Sequence, residues 1–147
     1  MKEHSITPET VNEIERLLRE ISVIVKRHGR EILHNFPITP PQLNALLWLN
    51  EEGDLTIGDL SQKMYLACST MTDLIDRMEK NKLVARIRDD KDRRVVRIRL
   101  LEYGTEVINE VLAARRAYLA QVLENETNES ATIMRDYLQV LFDKMKD

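Results

Sequence analysis

Arginine side chains alternate with apolar residues between positions 83 and 100, and they present the clearest binding chemistry in this chain. A guanidinium group offers a planar fork of N–H donors that matches the oxygens of a phosphate or a carboxylate. Alternation with a period of two is typical of a half-buried strand, and two such runs flank the polar segment 89–92, which predicts a β-hairpin. We expect one face to carry Arg86, Arg88, Arg97 and Arg99, and the other to carry Val84, Ile87, Val96, Ile98 and Leu100. Such a basic face needs an anionic partner; the alternative is a solvated edge ribbon that its charges protect from aggregation.

The basic residues are concentrated in one segment of an acidic chain. The whole chain of 147 residues has a formal net charge of −3, whereas segment 77–99 contains ten basic and four acidic residues and therefore carries +6. A basic segment on an acidic body is typical of a protein that binds a polyanion, because the acidic remainder limits non-specific attraction.

Other kinds of chemistry are missing from the sequence. There is no glycine-rich phosphate loop, metalloprotease helix motif or nucleophile elbow, and the three histidines are not grouped with cysteines or carboxylates as metal ligands would be. We therefore expect no enzymatic activity, no cofactor and no metal ion. The single cysteine, the lack of a secretory signal and the lack of an apolar run near 20 residues predict a cytoplasmic protein that does not enter a membrane.

The segments before the hairpin read as short helices. Helices are predicted at 41–51, ending before Gly53, and at 56–64, with Thr56 as the N-cap. After a turn at 65–67, segment 68–80 has apolar residues at helical spacing: Met71, Leu74, Ile75 and Met78. Two short helices, a tight turn and a basic hairpin predict a winged helix-turn-helix, and hence a mainly α fold with a small β wing.

The polar face of the predicted second helix carries short hydroxyl side chains. The face shows Ser69, Thr72, Asp73 and Asp76, with Thr70 and Arg77 at the flanks. The short hydroxyl side chains allow close approach to base edges and phosphates. Alone they would indicate only a solvent-exposed face, but beside a basic hairpin they favour contact with duplex DNA.

The two ends of the chain are predicted to form long amphipathic helices. The first should begin at Pro8 after the N-cap Thr7, and two more are expected at 102–125 and after a break at 127–129. Their apolar stripes predict a dimerisation platform that includes Val11, Ile14, Leu18, Ile21, Leu138, Leu141 and Phe142.

Five short stretches follow one another along the chain: ITPPQL at 38–43, LTIGDL at 55–60, STMT at 69–72, DRME at 76–79 and DRR at 92–94. Taken in this order and spacing, they resemble the MarR family, the multiple-antibiotic-resistance type of transcriptional regulator. The wing pattern D-x-R-x-x-x-[VI] is met by Asp92, Arg94 and Ile98. The similarity covers about 38–104, and the order of the helices extends it to the whole chain.

The resemblance implies a triangular homodimer on double-stranded, pseudo-palindromic operator DNA. It implies one domain over 1–147, with dimerisation helices at 1–36 and 102–147 and a DNA-binding lobe at 38–101. The recognition helices would enter successive major grooves, and the wings would enter the flanking minor grooves. Arg94 would reach the minor groove, and Asp92 would hold it in place. The candidate DNA-binding residues are Ser69, Thr70, Thr72, Arg77, Arg86, Asp92, Arg93 and Arg94. Most such proteins are repressors that a small phenolic or lipophilic ligand, or an oxidant, releases from DNA.

Several residues have two interpretations. His28 and Trp48 are either ordinary packing residues, which we prefer, or walls of a ligand pocket. Cys68 is either a small buried hydrophobe, which we prefer, or a thiol activated at a helix N-terminus. The alternative function is a winged-helix adaptor that binds an acidic protein.

Three positions depart from the family pattern. Asp73 places an acidic side chain on the recognition face, and Leu101 replaces a capping threonine. Lys82 replaces a glycine after the recognition helix, and we expect Asn81 to adopt the left-handed conformation in its place.

Overall fold

The computed structural model describes residues 5–146, which form six helices and three short strands. The elements are α1 (Pro8–Leu33), α2 (Pro40–Glu52), β1 (Leu55–Thr56), α3 (Ile57–Met64), α4 (Cys68–Lys80), β2 (Val84–Arg88), β3 (Val96–Leu100), α5 (Glu102–Val122) and α6 (Asn128–Met145). The chain divides into two compact units, 1–112 and 113–147, and the boundary falls within α5. Within the described residues, no helix is long and apolar enough to cross a membrane.

Threonine N-caps start four of the helices, because an extended residue with a side-chain oxygen can accept a hydrogen bond from an otherwise unpaired amide in the first turn. Thr7, Thr39, Thr56 and Thr127 all have this conformation and accept such a bond. The predicted starts of α1 and α3 and the predicted extent of α4 are confirmed. Helix α2 is one residue longer at each end than predicted, and α5 ends at Val122, three residues early.

The core of the first unit lies between α2, α3, α4 and the sheet. Leu46, Leu60, Met71, Ile75 and Met78 are fully buried there. The predicted apolar stripe of α4 therefore faces this core, which fixes its opposite side toward solvent.

The strands form an antiparallel sheet in the order β1-β3-β2. Strand β1 was not predicted, because two residues are too few to show a period; Leu55 and Thr56 pair with Ile98 and Arg97. The predicted four-residue tip was too short, since β2 ends at Arg88 and β3 begins at Val96.

The strand register corrects the predicted faces of the hairpin. Residues paired across two antiparallel strands share a face of the sheet. Arg86 pairs with the buried Ile98, whereas Arg97 pairs with Ile87 on the opposite face. The expectation that all four arginines share one face was therefore wrong, because Val84 and Ile87 are three apart and cannot both face the core in a regular strand.

The end of α4 also differs from the prediction. Lys82, with φ 63°, adopts the left-handed conformation, whereas Asn81 has φ −87°. The amide of Leu83 donates to the carbonyl of Met78 at 2.9 Å. This hydrogen bond is typical of helix ends in which the residue after the C-cap, here Lys82, is left-handed. A lysine in this conformation costs about 1 kcal/mol.

Gly104 of α5 allows the helix to pass close to the chain segment between α4 and β2. A Cβ atom at this position would lie 2.4 Å from the carbonyl oxygen of Leu83 and 2.7 Å from Cδ1 of Leu100. The close approach requires a glycine here.

Candidate nucleic-acid interface

The N-terminal turn of α4 presents small polar side chains to solvent. Ser69 and Thr70 are exposed, and the N-cap Ala67 supplies no side-chain bond to the first-turn amides. The hydroxyl of Thr72 donates to the carbonyl oxygen of Cys68 at 2.9 Å, so it offers an oxygen acceptor but no free donor. Exposed amides and hydroxyls at a helix N-terminus are suited to phosphate and base-edge acceptors.

Cys68 is exposed, so the prediction of a small buried hydrophobe was wrong. The residue is the first of α4, and the buried stripe of that helix begins only at Met71. Its thiol therefore lies on the same accessible turn as Ser69 and Thr70.

The loop of the hairpin holds an arginine by a carboxylate two residues away. Nε and Nη2 of Arg94 donate to the two oxygens of Asp92, each at 3.1 Å, and the main-chain amide of Arg94 adds a third bond. These bonds lower the pKa of Asp92, and the bond from the Arg94 side chain has the largest effect. The side chain of Arg94 is nevertheless 91% exposed, so its orientation is restricted while its outer edge stays accessible.

Two further arginines are paired on the outer face of the hairpin. Arg97 donates to Asp89 at 2.8 Å, and Arg99 donates to Asp54 at 2.8 Å. The bond from Arg97 is the main reason that the pKa of Asp89 is lowered. Arg88 instead donates to the carbonyl oxygen of Arg93 at 2.8 Å, which folds the loop back on its own strand.

The side chain of Arg86 points to α4, the predicted recognition helix. Its guanidinium group donates to Asp76 at 2.5 Å and to Glu79 at 2.6 Å, and its side chain is 28% exposed. Burial lowers the pKa of Arg86, but its hydrogen bonds to the two carboxylates outweigh burial and raise the pKa. Both carboxylates were absent from the predicted site; their spacing of one helical turn in DRME was the signal that could have revealed them.

The positive charge of the segment is thus partly neutralised by ion pairs. Four of the ten basic side chains in 77–99 pair with carboxylates. Among residues 5–146, the others form no ion pair: Arg77, Lys80, Lys82, Arg88, Lys91 and Arg93. These six side chains therefore carry a positive charge that no carboxylate among the described residues neutralises.

The structure places His28 and Trp48 in different surroundings. Trp48 lines an open groove of about 390 Å³ together with Pro40, Pro41 and Tyr65, and Nζ of Lys63 lies 4.9 Å from the centre of its ring. His28 is not among the lining residues; its Nδ1 lies 3.4 Å from a carboxylate oxygen of Glu31.

The residues predicted for dimerisation leave much apolar surface exposed within each unit. In the first unit Ile21 is 53% exposed, and Val11, Ile14 and Leu18 are exposed as well. In the second unit Phe142 is 59% exposed and Leu138 57%, whereas Leu141 is half-buried.

A helix-turn-helix followed by a hairpin that carries accessible arginines defines a winged-helix DNA-binding protein. The MarR family profile matches residues 38–96. The chain is 54% identical over 138 residues, 94% of each chain, to the uncharacterized HTH-type transcriptional regulator YsmB of Bacillus subtilis. It is 31% identical over 81% of its length to the HTH-type transcriptional repressor MdtR of Bacillus subtilis, of which it covers 77%.

A solved structure gives the same result. The chain is similar to the structure of a MarR family protein from Bacillus stearothermophilus, with a TM-score of 0.91 and 55% sequence identity. The match covers 97% of this chain and 100% of that chain. The chain belongs to the MarR family of transcriptional regulators. The predicted fold class and the expectation that the protein is not an enzyme are thereby confirmed.

Proposed function

We propose that the protein is a homodimeric repressor that binds a pseudo-palindromic operator in duplex DNA and acts in the cytoplasm. The observation that carries this proposal is the Asp92–Arg94 pair, in which a bidentate carboxylate holds an arginine that is 91% exposed. An arginine already held in one orientation loses less conformational freedom on binding, and its flat head suits a narrow minor groove. Repression is favoured by the similarity to the repressor MdtR.

The DNA contacts divide between two elements. Ser69, Thr70 and Thr72 of α4 are proposed to face the major groove, with Arg77 on the adjacent backbone. Arg94 is proposed to enter the minor groove, while Arg93 and Lys91 of the same loop contact phosphates. Arg93 is suited to this role because its guanidinium group has no ion pair within the described residues.

A second copy of the chain is the proposed occupant of the apolar surfaces of α1 and α6. Exposed apolar stripes of this length are unfavourable on a monomer in water, and the seven-residue repeat of α1 is typical of a helix that packs on another helix. Val11, Ile14, Leu18 and Ile21 are proposed for this contact on α1, and Leu138, Leu141 and Phe142 on α6.

Release by a small phenolic or lipophilic ligand is proposed from the family resemblance, and the Trp48 groove is the candidate site. Because Trp48 is the only tryptophan in the chain, emission excited selectively from tryptophan reports on this groove. Titration with salicylate should change the emission and weaken binding to the operator. Weaker operator binding with unchanged emission would place the ligand elsewhere, for example near His28.

The function is tested by selecting bound sites from random duplexes with purified protein. The selected sites should be inverted repeats with half-sites about 10 base pairs apart and A·T-rich flanks, and affinity should fall steeply with salt. Sites without dyad symmetry would contradict the docking arrangement. Absence of salt-dependent duplex binding would instead favour the adaptor function.

A further inference from the structure

Arg86 joins the wing to the recognition helix through three hydrogen bonds. Its guanidinium group donates to Oδ1 of Asp76 at 2.5 Å and to Oε1 of Glu79 at 2.6 Å. Its main-chain amide donates to the other oxygen of Glu79 at 3.0 Å. One residue of β2 is therefore fixed, by side chain and backbone, to two carboxylates of α4.

The geometry of these bonds restrains the angle between α4 and the hairpin. Asp76 and Glu79 are three residues apart and so project from the same side of the helix. A guanidinium group that donates two N–H bonds in one plane has less freedom than an ammonium group that meets the same two carboxylates. The Arg86 side chain is 28% exposed and that of Glu79 is 40% exposed, so this ion pair is screened less than pairs on the open surface.

The position of these carboxylates is unfavourable for DNA binding by charge alone. Helix α4 carries Asp73, Asp76 and Glu79, and negative charges near a phosphate backbone oppose binding. Asp73 is exposed and forms no ion pair within the described residues, whereas the other two are both engaged by Arg86. The unfavourable effect of Asp76 and Glu79 on DNA binding must therefore be offset by another contribution that these two carboxylates make.

We infer that Asp76, Glu79 and Arg86 form a latch that sets the orientation of the wing relative to the recognition helix, so that both elements can meet one operator half-site together. In this arrangement Arg86 is a positioning residue and does not contact a phosphate. The inference rests on the proposed binding of operator DNA, and it names the residues that adjust that binding.

The test is the change Glu79→Gln, measured with an operator duplex and a non-operator duplex at the same ionic strength. Glutamine keeps an oxygen that can accept from the amide of Arg86 but removes the charge from the latch. Asp73→Asn is the matched control, since it removes one charge from the same helix outside the latch; its effect on the non-operator duplex measures the effect of charge alone. Glu79→Gln should bind the non-operator duplex as Asp73→Asn does, but should bind the operator about tenfold more weakly than wild type.

Two further measurements separate positioning from direct contact. Arg86→Gln removes both the fork and the charge, so it should weaken operator binding, but it should leave the salt slope unchanged because Arg86 contacts no phosphate. Amide hydrogen exchange of 84–100 in the absence of DNA should increase in Glu79→Gln and not in Asp73→Asn.

The outcomes are distinguishable. Tighter binding of both duplexes by Glu79→Gln would mean that the carboxylate acts through its charge alone, and would overturn the latch. A salt slope that falls by about one per subunit in Arg86→Gln would make Arg86 a phosphate ligand and would overturn it as well. If the wild-type protein bound no duplex, the proposed function would fail. The latch would then be judged by the exchange of 84–100, and unchanged exchange would overturn it.

Discussion

Replacing Arg94 by alanine should weaken operator binding without affecting the fold. The side chain is 91% exposed, and its ion pair with Asp92 is open to solvent, so the pair contributes little to folding stability. A specific arginine contact contributes roughly 1–3 kcal/mol per site. At about 1.4 kcal/mol for each of two wings, a symmetric dimer should lose about a hundredfold in affinity.

The variants that interpret this loss are all in the same loop. Arg94→Lys should recover only part of the affinity, because it keeps the charge without the planar fork. Asp92→Asn leaves Arg94 in place but removes the charge that orients it, so an intermediate loss is expected. Lys91→Ala removes an exposed cation outside the ion pairs and should mainly reduce the salt slope.

The same pair predicts how binding depends on pH. The side chain of Arg94 and then its main-chain amide lower the pKa of Asp92. A lowered carboxyl pKa means that the interaction is complete above the ordinary value of about 3.9 and is lost only as the pH falls through the lowered value. The contribution of Arg94 to operator affinity should therefore be constant from pH 5 to 8.

Fluorescence anisotropy with a labelled operator duplex at fixed ionic strength measures each affinity, and circular dichroism with analytical ultracentrifugation verifies that melting temperature and oligomeric state are unchanged. The reasoning is refuted if Arg94→Ala binds within about twofold of wild type while it stays folded. In that case the wing does not read the minor groove, and specificity comes from α4 alone.

Three further predictions concern other parts of the chain. Leu18→Asp combined with Leu138→Asp should give monomer or aggregate, and a double variant that remains a soluble dimer in ultracentrifugation at micromolar concentration would contradict the proposed interface. The exposed Cys68 should react with a maleimide in the native state; Cys68→Ser should not react, and should bind the operator within twofold of wild type. Gly104→Ala should lower the free energy of unfolding by roughly 1–3 kcal/mol in urea titration because its Cβ would meet the Leu83 carbonyl. Gly58→Ala is the control, since the nearest atom would be 3.7 Å away; equal losses in the two variants would exclude a steric cause.

The parts of the fold that were predicted depend on local chemistry. The N-caps at Thr7 and Thr56 act on amides three residues away, so a single short stretch contains both partners of the bond. The extent of α4 was also predictable, because the same residues that form the helix carry its apolar stripe. By contrast, the ion pair between Asp54 and Arg99 joins residues 45 apart, and no local period indicates it.

The direction of Arg86 shows why charge counting along the sequence was insufficient. The alternating pattern suggested that every arginine of the hairpin faces outward, but a strand keeps its period of two, and Arg86 therefore takes a position opposite the buried Ile98. Most of the Arg86 side chain is removed from solvent there, so its charge needs nearby carboxylates, and Asp76 and Glu79 of α4 supply them.

The same correction changes the expected electrostatics of DNA binding. The formal +6 of segment 77–99 assumes that every cation can replace a counterion on DNA. Arg86, Arg94, Arg97 and Arg99 already have carboxylate partners, and those that keep them on the operator would release fewer counterions than unpaired cations. The number of phosphate contacts obtained from the salt slope should therefore follow the unpaired cations, such as Arg77, and not the total count of basic residues.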